Sequence, residues 1–276
     1  MASGSGGFSI CCGDGYGEDG AVRVWNMADG SLKTILNGYG AAINVLRLSA
    51  DGNMLFSSTD YGGLNMEGKP YLWDLASHTR TVLDTSIKYV SFGPREPIAA
   101  LIDYDYSDFS GSLYLLDTQL GLQTPLFKNR EGYLGDAIFS PDGTLLVAGS
   151  NIWNVQTGKA IELDQVGVRA AFSQDGSLLA YFDDDGVVIW DVKTQTEHLR
   201  IDADNNYFDP IFFSSDGTLI FADNKLWDVQ TGLLAADLTP PRFTGDFYPM
   251  AYISADSKII AIADGFGIRL WGVPQS

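Results

Sequence analysis

The sequence predicts an all-β fold built from seven copies of one antiparallel unit, and three observations predict it. All six tryptophans sit at the end of a short apolar run: Trp25, Trp73, Trp153, Trp190, Trp227 and Trp271. Leu116 fills the same slot in LYLLDT, and positions 116, 153, 190 and 227 are spaced by an identical 37 residues. A turn marker precedes most anchors, as Asp51-Gly52, Asp142-Gly143, Asp175-Gly176 and Asp216-Gly217. Weaker forms stand at Gly93 and Asp256.

Each marker has a physical reason. Ser and Asp side chains bond nearby backbone, and Gly accepts positive φ, so an apolar run ending in Ser-x-Asp-Gly reads as a strand leading into a tight turn. After the anchor comes Asn26, Asp74, Asp117, Asn154, Asp191 or Asp228, often followed by a Gly such as Gly30, Gly121, Gly158 or Gly232. That order suits a second hairpin turn. The runs between are short and rich in Val, Ile, Leu, Phe and Tyr, and no window keeps a helical period. Four short strands per period of about 40 residues is the signature of a β-propeller.

The repeat, with Trp-Asp pairs at 73–74, 190–191 and 227–228, resembles the WD40-repeat family over residues 8 to 276. The resemblance implies seven blades of four-stranded antiparallel sheet around a central channel. It also implies that the loops between second and third strands, and between outer and inner strands, bind peptides. The sequence lacks the family's Gly-His pair before the innermost strand, because its two histidines, His78 and His198, lie elsewhere. A histidine-centred hydrogen-bond network is therefore not expected.

Counting runs gives seven second and third strands but six innermost ones, beginning near Ile43, Ile87, Leu134, Val168, Tyr207 and Phe247. Outermost strands also number six. The first and last blades are thus expected to be incomplete, and closing the ring falls to residues 1–7 or to a longer parent chain. Residues 1–7 read as a linker or disordered start and 8–276 as one propeller domain.

Composition bounds the function. The chain of 276 residues is 45% hydrophobic and 19% charged, which is globular rather than disordered. Its 35 acidic residues against 17 basic ones give a formal charge of −18, so nucleic acid and anionic membranes are expected to be repelled and a basic partner favoured. No apolar run reaches the length of a membrane span and the start carries no signal core, which leaves localisation open. Cys11 and Cys12 are adjacent in an apolar run, where strand neighbours point to opposite faces, so no disulfide is expected.

Catalytic and cofactor patterns are weak. His78 falls in a turn and His198 in an outer strand, neither placed to orient a nucleophile. The GxGxxG string from Gly15 to Gly20 opens a strand instead of a helix and contains Glu18 and Asp19, which would repel a phosphate. Three acidic clusters, Asp103/Asp105/Asp108, Asp183–Asp185 and Asp202/Asp204/Asn206, lack the sixth-position Gly and twelfth-position Glu of an EF-hand loop. No catalytic residue, cofactor or metal is assigned.

What remains is a surface. The loops of the expected binding face carry Tyr16, Tyr61, Tyr104, Tyr106, Phe109, Tyr133, Tyr207, Phe247 and Tyr248, interleaved with carboxylates. Tyrosine gives contact area at low entropy cost, and carboxylates favour a cationic ligand. The expected partner-binding set is Tyr104, Asp105, Asp108, Tyr133, Asp183, Asp184, Tyr207 and Tyr248. The function expected is a non-enzymatic scaffold for a protein or peptide of basic character, without nucleic acid or membrane. The alternative is a propeller enzyme or ligand-binding protein that uses channel carboxylates, which would show as three or more of them converging at one channel mouth.

Overall fold

A computed structural model describes residues 8–12, 21–26, 28–37, 43, 45–58, 70–83, 87–95, 97–105, 110–131, 137–163, 169–204, 210–239, 250–254, 256–263 and 267–272. Their regular structure is entirely β, in seven antiparallel sheets. The chain divides into two compact units, residues 2–133 and residues 134–276, with Met1 grouped with the latter.

The unit of residues 2–133 holds three sheets. The first has three strands, β1 (Phe8–Cys12), β2 (Val22–Asn26) and β3 (Leu32–Leu36). The second runs from β4 (Val45–Leu48) through β5 (Met54–Ser58) and β6 (Tyr71–Asp74) to β7 (Thr79–Val82). The third comprises β8 (Ile87–Phe92), β9 (Ile98–Asp105), β10 (Ser110–Asp117) and β11 (Gln123–Glu131). Val22, Val24 and Leu36 pack with Leu55, Tyr71 and Trp73 between the first two sheets. Phe56, Leu72, Val90, Leu101 and Leu116 do the same between the second and third.

The unit of residues 134–276 holds four sheets. They are β12 (Ile138–Phe139) to β15 (Ala160–Glu162) by way of β13 (Leu145–Ala148) and β14 (Asn151–Asn154), and then β16 (Ala170–Phe172), β17 (Leu178–Asp183), β18 (Gly186–Asp191) and β19 (Thr196–Ile201). The sixth sheet is β20 (Phe212–Phe213), β21 (Leu219–Ala222), β22 (Lys225–Asp228) and β23 (Leu234–Asp237), and the seventh is β24 (Met250–Ile253), β25 (Ile259–Ala263) and β26 (Ile268–Gly272). Apolar clusters again fill the spaces between consecutive sheets. Strands such as LLAYF of β17 are buried on both faces, which is why their sequences read as unbroken apolar runs instead of alternating ones.

The anchors occupy equivalent places. Trp73, Leu116, Trp153, Trp190, Trp227 and Trp271 each pair with the second residue of the preceding strand: Leu55, Ala99, Leu146, Leu179, Ile220 and Ile260. Trp25 pairs with Ser9 of β1, also a second residue. Trp73 and Trp153 are buried, while Trp25, Trp190, Trp227 and Trp271 are half-buried. The described first sheet has no inner strand and the described seventh no outer one, in agreement with the count of runs. Within the described residues the inner strands run from Val45, Ile87, Ile138, Ala170, Phe212 and Met250, and β12 and β20 are described over two residues each; the expected starts at Leu134, Val168, Tyr207 and Phe247 lie outside the described residues.

The turn chemistry is repeated with little variation. Ser49, Ser140, Ser173, Ser214 and Ser254 each donate their hydroxyl to the Asp two residues on, at 2.6–2.7 Å. That carboxylate then accepts the backbone N–H of Asn53, Thr144, Ser177, Thr218 or Lys258. These bonds hold the carboxyls of Asp142, Asp175 and Asp216 below the usual aspartate range.

Candidate functional site

The strongest concentration of unlike chemistry in the unit of residues 134–276 lies at one end of the fifth and sixth sheets. The β17–β18 hairpin closes where Asp183 pairs with Gly186, which leaves Asp184 and Asp185 exposed at its tip. Gly186 has φ 140°, and a Cβ added there would stand 2.4 Å from the carbonyl oxygen of Ile201 and 3.4 Å from the amide nitrogen of Ala203. Only glycine fits such an approach. The hairpin tip therefore lies against the chain leaving β19, which carries the exposed Asp202 and Asp204.

Among the described residues two cations share this end, and both are occupied. Arg200 donates to Asp183 at 2.6 Å and to Glu197 at 2.9 Å, and these carboxylates push the guanidinium pKa up. Lys225 pairs with Asp223, and Asp204 and Asp237 add to the field that raises its pKa. Burial pushes the Asp223 carboxyl up, with Lys225 acting against that. Asp223 and Asn224 both take positive φ, 53° and 54°, in the two-residue turn between β21 and β22, the geometry of a type I′ hairpin. The side chains of Asp184, Asp185, Asp202 and Asp204 are exposed at this end.

The residues expected to bind a partner are distributed unevenly. Asp183 and Asp184 are adjacent in this hairpin, but Asp183 is engaged by Arg200. Tyr104 and Asp105 are not in a loop, because β9 runs to Asp105 and pairs Tyr104 with Gly111. Tyr104 is buried, with 6% of its surface exposed. Asp108, Tyr133, Tyr207 and Tyr248 lie outside the described residues, as do Tyr16, Tyr61, Tyr106, Phe109, Phe247 and the Gly15–Gly20 string. Sequence reasoning missed Arg200, Lys225 and Asp223, although a lone basic residue beside an acidic run was a visible signal at both places.

For catalysis and metals the described residues offer little geometry. His78, at φ 57° in the turn after β6, has its Nδ1 3.4 Å from the hydroxyl of Thr34 on β3. His78 is exposed and Thr34 half-buried. Among the described residues no group of three or more His, Cys, Asp or Glu side chains is arranged to hold a metal ion.

No protein-family model matches the chain, and no curated protein matches it. Among solved structures it is similar to a chain described as "Crystal Structure of Mitotic Checkpoint Complex", with a TM-score of 0.66 and 17% identity over 92% of this chain and 82% of that one. A likeness at that identity is one of fold. With seven antiparallel sheets, mostly four-stranded, the chain has a β-propeller fold of WD40-like form.

Proposed function

We propose that the chain is a non-enzymatic protein-interaction scaffold whose acidic end, at the β17–β18 hairpin and the segment after β19, receives a basic peptide or protein segment. The observation that carries this reading is the set of exposed carboxylates at Asp184, Asp185, Asp202 and Asp204 beside cations that are already paired. A hairpin tip with an excess of exposed acidic charge steers an oppositely charged ligand and raises its association rate. The tyrosines of the same expected surface, Tyr133, Tyr207 and Tyr248, would add contacts that outlast moderate salt. The checkpoint-complex chain of similar fold belongs, by its description, to a complex, which supports protein partners for this fold in general.

The test is kinetic. A nine-residue lysine-rich peptide is titrated against the whole chain at two ionic strengths by stopped-flow fluorescence. The double charge reversal Asp184→Lys/Asp185→Lys is expected to slow association about tenfold at low salt and by less at high salt, since screening weakens exposed charges. Asp183 is left intact because it holds Arg200. Equal association rates for the parent and the double variant, or tighter binding of an acidic peptide, would overturn the reading.

A further inference from the structure

We propose that the groove between the turns of the second and third sheets binds a short apolar peptide through a carboxylate seated on Arg95. This site is separate from the acidic end, so either proposal stands if the other fails.

The argument starts from register. Gly93 donates its N–H to the carbonyl of Ile98 at 2.7 Å, as Ser140 does to Leu145 and Ser173 to Leu178. The turn from Gly93 to Pro97 therefore shares the hydrogen-bond register of Ser140 to Thr144, with Arg95 at the position of Asp142. Arg95 stands where five other sheets place the turn aspartate, and Gly93 stands where they place the serine that donates to it. The repeat's anion has become a cation, and its hydroxyl is gone. A further departure follows just after β10, where Thr118 takes the slot held by Leu75, Val155, Val192 and Val229, each of which donates its N–H to the equivalent turn carbonyl.

Elsewhere neighbouring turns close on one another. A Cβ on Gly176 would lie 3.5 Å from Pro141, and Ser215 donates its N–H to the hydroxyl of Ser257 at 2.6 Å. Between the second and third sheets a groove of about 590 Å³ opens instead, within the usual range for ligand pockets. Its apolar lining includes Met54, Phe92, Pro94 and Ile98, all half-buried.

Charge decides the ligand. The lining carboxylates are already used: Asp51 accepts from Ser49, the Asn53 amide and the Asn53 side chain, and Asp74 accepts from the amides of Ala76 and Ser77. Arg95 is exposed and makes no hydrogen bond or ion pair among the described residues, although acids outnumber bases 35 to 17 in the chain. A guanidinium offers a fork of donors that matches a carboxylate. The groove thus places one unpaired guanidinium among apolar side chains and two carboxylates that are hydrogen-bonded within their own turns.

Three acetylated pentapeptide libraries, with leucine, valine or phenylalanine at the variable positions, serve as probes. The first has a fixed central aspartate and an amidated end, the second a central asparagine and an amidated end, and the third a central asparagine with a free C-terminal carboxylate. Binding to the ¹⁵N-labelled whole chain is followed by amide shifts. At least one carboxylate library is expected to bind saturably, with shifts at Phe92, Arg95 and Thr118, and to bind more than tenfold tighter than the amidated asparagine library. Preference for the first or third library identifies the carboxylate as side chain or chain end. Arg95→Gln, and a graft that turns residues 93–97 into Ser-Pro-Asp-Gly-Thr, should each weaken that binding more than tenfold, while thermal melts report that both variants are folded. No saturable shift with either carboxylate library, an equal response to the amidated asparagine library, or binding indifferent to Arg95→Gln in a folded variant would overturn the proposal.

Discussion

The turn at residues 173–177 and the turn at residues 93–97 occupy the same place in their sheets and do opposite things. In the first, one carboxylate gathers the Ser173 hydroxyl and both donors of Ser177, while Gly176 takes φ 74°. In the second, a glycine and an arginine stand in those places, and the space beside them opens into a groove. The difference teaches that this repeat keeps its packing in β-strand registers, which the third sheet retains, and spends its turns separately. A sheet can lose the stabilising turn and still seat Leu116 opposite Ala99.

If strand register carries most of the stability, the largest effects belong to the anchors. Trp153 is buried against Leu146 in the register, and Trp153→Ala should cost about 3–5 kcal/mol in equilibrium denaturation, as emptying a large aromatic site does. Trp190 is only half-buried, so Trp190→Ala should cost less, about 2 kcal/mol. Enlarging the divergent anchor, Leu116→Trp, should cost about 1–3 kcal/mol, because its slot is already filled. A gain in stability from that change would show the third sheet to be loosely packed.

The turns come next. Asp175→Ala removes the acceptor of three bonds at an exposed site and should cost about 1 kcal/mol, in line with other capping aspartates. The effect has a pH signature. The Ser173 hydroxyl, followed by the Ser177 amide and hydroxyl, lowers the folded-state pKa of Asp175 below its unfolded value of 3.8. The stabilisation is therefore present above pH ~4 and lost as pH falls through the depressed value. Melting temperature should drop below pH 4 in the parent, and less steeply in Asp175→Asn. Asp223 works in the opposite sense, since burial raises its pKa and its charged form is the unfavourable one in the folded state.

Smaller still are two sites of backbone strain. His78 and Gln195 adopt φ 57° and 58° at the turn position where Gly30, Gly121, Gly158 and Gly232 stand in other sheets. Gln195→Gly relieves the left-handed strain but adds entropy to the unfolded chain. The net gain should be about 0.5 kcal/mol, readable as a small rise in melting temperature.

Much of the fold was legible because tryptophan spacing reports register directly. Strand order, the seven sheets and the two incomplete ones followed from it. The inner strands were the hardest to read, because two ladder pairs, as described in β12 and β20, leave almost no periodic pattern. Tyr104 was read as a loop aromatic because Ala99 to Ile102 are buried on both faces, which erases the alternation that would have shown β9 continuing to Asp105. Asp183 was read as part of a partner-binding surface because Arg200 is distant in sequence and is brought beside it only by the β17–β18 hairpin and the β18–β19 pairing. Arg95 was in plain sight as the charge-reversed member of an aspartate series, but Gly93-Pro94-Arg95 passes for a weak turn until its hydrogen-bond register aligns it with Ser140-Pro141-Asp142.

The central claim is that the regular turns stabilise their sheets and that the divergent one is kept for another purpose. The most direct measurement is equilibrium denaturation of the graft that converts Gly93-Pro94-Arg95-Glu96-Pro97 into Ser-Pro-Asp-Gly-Thr. If the claim holds, the graft matches or exceeds the parent's stability to within about 0.5 kcal/mol, because it restores the serine–aspartate–amide bonds found in the other sheets. A loss greater than about 1 kcal/mol would contradict it, and would mean that Arg95 and its turn are part of the packing.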